Sequence, residues 1–319
     1  MNLTILGAGV AGLCLAAELG ARGVSARVID PAGGPGEHGC SWWAGGMLAP
    51  GCEGESAPEV VERLGAEAAE WWAARGVSVT RRGTLVVAPE RDHTELRRYA
   101  RLTRGHRLLD ADAITALEPQ LGGRFQTGLY FEAEAHLDPR AALATLARSA
   151  RIDTESPAIR TELAVDCRGL AARDTLDGLR GVRGEMLVLR CPEVELSRPV
   201  RLLHPRMPLY IVPRGDGVYM LGATMVESDG RGHISARALL ELLSAAYTVD
   251  PAFAEAEVIE TGVDARPAFA DNVPRVVHRG DTVYCNGLFR HGYLMAPALA
   301  RQAADYLLSG EQGELVHAH

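Results

Sequence analysis

A chain of 319 residues with a formal net charge of −8, 47% hydrophobic and 23% charged, has the length of one large or two ordinary domains and the balance of a core-forming protein, which excludes a disordered chain and a disulfide-stapled mini-protein. All 33 basic residues are arginine, and a chain with no lysine amine to deprotonate is a poor candidate for Schiff-base chemistry or a Walker-type phosphate loop. The acidic excess argues against a nucleic-acid surface, and the one basic run, Arg91 to Arg107, reads as a helix with a solvated face.

The opening segment is the most legible. Leu3–Leu6 is an apolar run closed by Gly7. Gly7-Ala8-Gly9-Val10-Ala11-Gly12 follows, then a helical stretch to Leu19, the breaker Gly23, and a second strand, Ala26–Ile29, that ends at Asp30. Strand, glycine turn, helix, strand and terminal acid together form a dinucleotide-binding βαβ unit. Gly7 permits the tight turn, Gly9 lets a pyrophosphate approach the backbone, and Gly12 lets the helix lie against the strand. Asp30 stands where it can accept hydrogen bonds from an adenosine ribose. The pattern does not separate NAD from FAD. The small-residue run Cys40–Pro50, with Trp42 and Trp43, reads equally as a backbone platform for a flat ring system or as a surface loop with core tryptophans.

Further along, a helix is expected over Glu59–Arg75. Antiparallel strands are expected at Ser78–Thr80 and Gly83–Val87, joined by an Arg-containing turn. Helices follow at Glu95–Leu102, Asp112–Leu117 and Pro139–Ser149, the last capped by Asp138. Strand signals stand at Met186–Leu189, Leu209–Val212 and Val218–Gly222, the last two forming a hairpin; a helix is expected at Ser235–Tyr247, a strand at Thr282–Cys285 and a final helix from Pro297 to Leu308. There is no internal repeat. The order implies an α/β nucleotide domain built from both chain ends (1–75, 137–182 and 262–319), into which an antiparallel α+β domain (76–136 and 183–261) is inserted.

Six cysteines (Cys14, Cys40, Cys52, Cys167, Cys191 and Cys285) are scattered without a C-x-x-C pair, so buried free thiols in a reducing cytoplasm are expected, with no metal site. No stretch approaches the roughly 20 apolar residues of a membrane span, and the N-terminus lacks the basic start of a signal peptide.

The segment Asn286–Pro297 leads from a strand into the last helix. It can present backbone N–H groups and a helix dipole to a flat ligand that acquires negative charge, as a reduced flavin does. At this point the chain resembles the FAD-dependent amine oxidoreductases of the D-amino-acid oxidase class, and among them the glycine oxidases of the thiamine pathway. The matching pieces are the N-terminal fingerprint, Gly45-Gly46-Met47-Leu48-Ala49-Pro50, Val182-Arg183-Gly184-Glu185, Tyr210–Arg214, Gly222-Ala223-Thr224-Met225, Ala265-Arg266-Pro267 and the terminal loop, in order over nearly the whole chain.

The resemblance implies an FAD-binding Rossmann-like domain with an inserted substrate domain, and non-covalent FAD. It implies oxidation of glycine or a similarly small amino acid to the imine or glyoxylate, with O2 reduced to H2O2. Arg266 would clamp the substrate carboxylate, helped by the Tyr210 hydroxyl; Arg290 would lie near flavin and ligand; Met225 and Ala49 would wall the pocket. Gly45, Gly46, Met47 and the Gly287–Met295 loop, with Arg290, His291, Gly292, Tyr293 and Leu294, would wrap the flavin, and Ala158 would contact adenine. The partners implied are the amino acid and O2, a second copy of the chain, and a thiazole-forming enzyme that takes the imine. A dehydrogenase of the same fold, a D-amino-acid or sarcosine oxidase, and a flavoprotein with a structural nucleotide are the alternatives. Without the resemblance, Arg266 also reads as an ion-pair arginine, Tyr210 as a packed strand residue, Met225 as core and Cys285 as a buried thiol.

Three features depart from the pattern. The stretch between Arg151 and Arg168 is short, leaving the adenine side open. Arg168 stands in a turn where the class has small residues, either beside phosphate or facing solvent. The missing lysine disfavours the sarcosine-oxidase branch and leaves Arg290, His291 or water to assist oxygen.

Overall fold

The computed structural model describes residues 3–155, 163–204 and 209–318. Two large sheets organise them. The first has seven strands in the order Val316–Ala318, Arg275–Arg279, Thr282–Asn286, Leu163–Asp166, Leu3–Leu6, Ala26–Ile29 and Arg151–Asp153. All neighbours run parallel except the Arg275–Arg279/Thr282–Asn286 pair. The helices Val10–Ala21 and Gly292–Ser309 pack against it, burying Leu13, Leu15 and Leu19 with Leu299 and Ala303, as a parallel sheet with apolar faces requires.

The second sheet has nine strands and is mainly antiparallel. Its spine is the pairing of Arg180–Arg190 with Glu257–Ala268, which sets Val182 opposite Arg266 and Gly184 opposite Asp264. The expected hairpin of Leu209–Gly215 with Val218–Gly222 is present, with Asp216 and Gly217 at positive φ in its turn. The Pro139–Ser149 helix begins as expected: Asp138 Oδ1 accepts from the Ala141 amide at 2.8 Å.

Three local expectations are corrected. The helix over 59–75 is two helices, Glu59–Gly65 and Ala68–Ala73, and at Gly65 an added Cβ would meet Leu294 Cγ at 2.6 Å, so the break lies where the last helix crosses. Ser78–Thr80 does not pair with the next strand. Thr80 bridges His136, and Thr84–Val87 pairs with Thr127–Phe131 and Val200–Leu202, because Gly83 at φ +70° turns the chain tightly over Tyr130. The last helix starts at Gly292, five residues before Pro297. Pro297 has no N–H to offer the Tyr293 carbonyl one turn back, and the Trp72 indole N–H donates to that carbonyl instead, at 2.9 Å.

Candidate active site

The glycine turn between the first strand and helix is fixed by geometry that other residues cannot adopt. Gly7 has φ +97° and an added Cβ would lie 2.9 Å from the Cys167 carbonyl oxygen; at Gly12 it would lie 2.0 Å from the Gly7 oxygen. The helix therefore begins hard against the strand, with Gly9 as its N-cap. Asp30 is buried beside this turn, its Oδ2 accepting from the Ala8 amide at 2.7 Å and its Oδ1 from the Ala32 amide at 3.0 Å. Ser41 Oγ accepts from the Val10 amide at 3.1 Å.

From this turn a single cavity of about 810 Å³ runs between the two sheets. Its lining includes Gly7, Gly9 and Asp30 of the nucleotide turn, Gly45, Gly46, Met47 and Ala49, Tyr210, Met225 and Arg266, and the Gly287–Leu294 segment with Arg290. Gly12 does not reach the cavity, and Met295 is turned wholly into the core of the first sheet. Ala158 lies outside the described residues. Gly45 is held by the partly buried Arg214, whose guanidinium donates to the Gly45 carbonyl at 2.8 Å and to the Leu137 carbonyl at 3.1 Å. Trp42 and Trp43 both line the wall, Trp43 lying so close over Gly262 that a Cβ there would be 2.2 Å from its ring.

Five arginines line the cavity. Arg168 pairs with Asp166 at 2.6 Å and Asp174 at 2.8 Å, so its guanidinium is held by two acids at the cavity wall. Arg231 pairs with Asp264 at 2.5 Å, and Arg201 and Arg290 pair with Glu53 at 3.3 and 2.7 Å. Arg266 alone among the five has no carboxylate partner among the described residues; its Nη1 donates only to the Thr224 carbonyl, at 3.2 Å. Its side chain lies across the neighbouring strand, where a Cβ on Gly184 would be 2.1 Å from Nη2. Tyr210 approaches from the Leu209–Gly215 strand and lies flat over two glycines: an added Cβ would stand 2.7 Å from its ring at Gly45 and 2.6 Å from its hydroxyl at Gly222. Met225, 49% exposed, is at the mouth of the cavity and not in the core.

Sequence reasoning missed Glu53 and Arg201. Glu53 sits in the short helix Pro50–Glu53, and both backbone groups of the preceding Cys52 are pinned: its amide donates to Glu134 Oε1 at 2.8 Å and its carbonyl accepts from the Tyr99 hydroxyl at 2.7 Å. Burial alone would raise the Glu53 pKa, but Arg290, His291 and Arg201 outweigh it and hold the carboxyl at about 2. His291 Nδ1 is 3.4 Å from Glu53 Oε2. Burial lowers the His291 pKa most; Glu53 pulls it back, Arg290, Arg201 and Arg266 push it down, and it rests at about 4, so the ring is neutral at neutral pH. The only advance signal was the acid itself, three residues past the small-residue run.

All six cysteines are free thiols, no cluster of metal-ligating side chains occurs among the described residues, and no helix among them is long and apolar enough to cross a membrane. A parallel sheet with a glycine turn at a helix N-terminus, opening into a cavity capped by a second sheet, defines a dinucleotide-dependent redox enzyme. The family model described as FAD dependent oxidoreductase matches residues 2–306, and the chain belongs to that family: it is an FAD-dependent oxidoreductase of the glycine oxidase and D-amino-acid oxidase group. A Rhizobium etli protein named as the thiamine biosynthesis oxidoreductase ThiO is 54% identical, with 98% of each chain covered. The glycine oxidase of Pseudomonas aeruginosa is 26% identical over 98% of this chain and 95% of its own. The crystal structure of iminodiacetate oxidase from Chelativorans sp. BNC1 superimposes with a TM-score of 0.82 at 23% identity, covering 99% of each chain, which establishes the common fold.

The residues present fit FAD. The glycine turn brings the backbone of Gly7, Ala8 and Gly9 to the cavity wall at the N-terminus of the Val10–Ala21 helix, with Asp30 beside it, and Gly45 and Gly46 line the same cavity, packed so closely on Tyr210 and the Leu137 carbonyl that neither could carry a side chain.

Proposed function

We propose that the chain oxidises glycine, or a similarly small amino acid, to its imine, which hydrolyses to glyoxylate or passes to a thiazole-forming enzyme. The observation that carries this reading is Arg266: a guanidinium aimed into the cavity, cleared by Gly184, with no acid of the described residues paired to it. A planar fork of this kind is the natural partner of a carboxylate, and the Tyr210 hydroxyl stands ready to donate a second hydrogen bond.

Gly7, Gly9, Asp30, Gly45, Gly46, Met47 and the 287–294 segment are the residues proposed to hold FAD, without a covalent bond. Bound there, FAD supplies a two-electron oxidation, with O2 as the proposed final acceptor and H2O2 as its product. The chain's own work is placement. Arg266 and Tyr210 fix the carboxylate and so the direction of the α-carbon's C–H. Ala49, Met225 and the two tryptophans limit the room around that carbon. Orientation supplies the rate enhancement, the amine enters neutral, and no side-chain base is needed. The 54% identity to a protein named for thiamine biosynthesis supports the route of the product.

The test is an anaerobic titration of the purified yellow protein with glycine, sarcosine and D-alanine. The reading predicts bleaching of the flavin by at least glycine and stoichiometric H2O2 on readmission of air. Bleaching without H2O2 would point to a dehydrogenase, and no bleaching by any of the three would refute the proposal.

A further inference from the structure

Glu53 has no part in clamping a single carboxylate, yet it is a buried acid set between two arginines of the cavity wall. Its Oε1 faces Arg201 Nη2 at 3.3 Å and its Oε2 faces Arg290 Nη2 at 2.7 Å. Arg201 is itself anchored, its Nη1 donating to the Tyr99 hydroxyl at 2.8 Å, and Arg290 Nη2 also donates to Ser56 Oγ at 2.7 Å. All three side chains line the same cavity as Arg266. With Asp264 committed to Arg231 and Glu55 to Arg98, Glu53 is the carboxylate that answers Arg201 and Arg290, and Arg266 is left without one among the described residues.

We infer that Glu53 sets the substrate class of this site: by occupying Arg201 and Arg290 it restricts the pocket to amino acids with one carboxylate and turns away those with a second. This rests on Arg266 being the clamp for the first carboxylate, as proposed above. The physics is that of like charge in a desolvated space. A second substrate carboxylate that reached Arg290 would have to displace Glu53 or stand beside it, and either costs more than leaving the two guanidinium groups with the acid they already hold. Glutamine in place of Glu53 keeps the shape and one hydrogen-bond acceptor but removes the charge. Two guanidinium groups then lack an anion, and the selectivity reverses.

The experiment uses the FAD-loaded protein and redox-inert probes, so that it does not depend on turnover. Calorimetry gives Kd for acetate and for malonate, succinate and glutarate, with the wild type, Glu53→Gln and Glu53→Asp. The wild type is expected to bind acetate more tightly than any of the dicarboxylates. Glu53→Gln is expected to shift the ratio roughly tenfold or more toward at least one dicarboxylate, about 1.4 kcal/mol, and Glu53→Asp to keep the wild-type preference. The kcat/KM ratio of iminodiacetate to glycine should move the same way. A wild type that already prefers a dicarboxylate overturns the inference even if Glu53→Gln fails to fold. So does a Glu53→Gln protein whose ratios stay within about twofold of the wild type. If the wild type binds acetate but the ratios do not move, this inference alone falls. If acetate neither binds nor competes with glycine, the clamp falls and this inference with it.

Discussion

Alanine at Gly184 separates the grip of Arg266 from the stability of the sheet that carries it. Gly184 lies inside a strand without the positive φ that excludes side chains, so alanine's backbone is tolerated there. The three atoms nearest the added Cβ all belong to Arg266: Nη2 at 2.1 Å, Cζ at 2.3 Å and Nη1 at 2.5 Å. Ordinary contact begins near 3.5 Å, so the guanidinium must retreat by well over about 1 Å. The far end of a flexible side chain makes that move at little cost to folding. A misplacement of this size at a positioning group lowers the rate about 100-fold. Gly184→Ala is therefore expected to bind FAD at full stoichiometry, to melt within a few degrees of the wild type, and to lose roughly two orders of magnitude in kcat/KM for glycine. Initial rates, anaerobic flavin reduction and a thermal melt measure the three quantities. Wild-type kcat/KM in a protein shown to carry alanine at 184 would refute the clamp.

Other perturbations report on different links. Arg266→Ala should retain the flavin spectrum while glycine turnover falls by about 3 kcal/mol or more in kcat/KM, the cost of a carboxylate left without its partner; unchanged kinetics would contradict it. Gly46→Ala combines φ +71° with a Cβ 2.2 Å from the Leu137 carbonyl, so here, unlike at Gly184, the backbone itself must move, and both melting temperature and FAD affinity should drop. Burial pushes the Glu134 carboxyl up to about 7. The folded state then binds its proton more tightly than the unfolded chain, so its stabilisation is full below about pH 4 and is lost as pH rises through 7, about 3 kcal/mol in all. Glu134→Gln should gain stability relative to the wild type between pH 5 and pH 8 in denaturant unfolding, and an equal difference at both pH values would count against it. Trp72→Phe leaves the Tyr293 carbonyl without a donor and should cost about 1–3 kcal/mol of stability.

What could be read in advance was local. The glycine turn, the Asp138 cap and the Leu209–Gly222 hairpin each declare themselves within a few residues, because the constraint and the residue that meets it are neighbours in the chain. The ordered motifs led to Arg266 and Tyr210, and the structure brings both to one cavity. Glu53 and Arg201 were not legible because each is unremarkable alone and acquires meaning only across 148 residues of chain. Pro297 misled for a related reason. Proline usually opens a helix, and nothing near it in sequence says that a tryptophan 225 residues earlier satisfies the carbonyl it abandons. The split of 59–75 likewise depends on Leu294 arriving from the far end of the chain.

The most direct measurement is a crystal structure of the FAD-loaded protein with acetate or glycine bound. The account predicts the ligand carboxylate forked onto the Arg266 guanidinium with the Tyr210 hydroxyl at hydrogen-bond distance and Glu53 still on Arg201 and Arg290. A carboxylate bound elsewhere in the cavity, with Arg266 still bonded only to the Thr224 carbonyl, would contradict it.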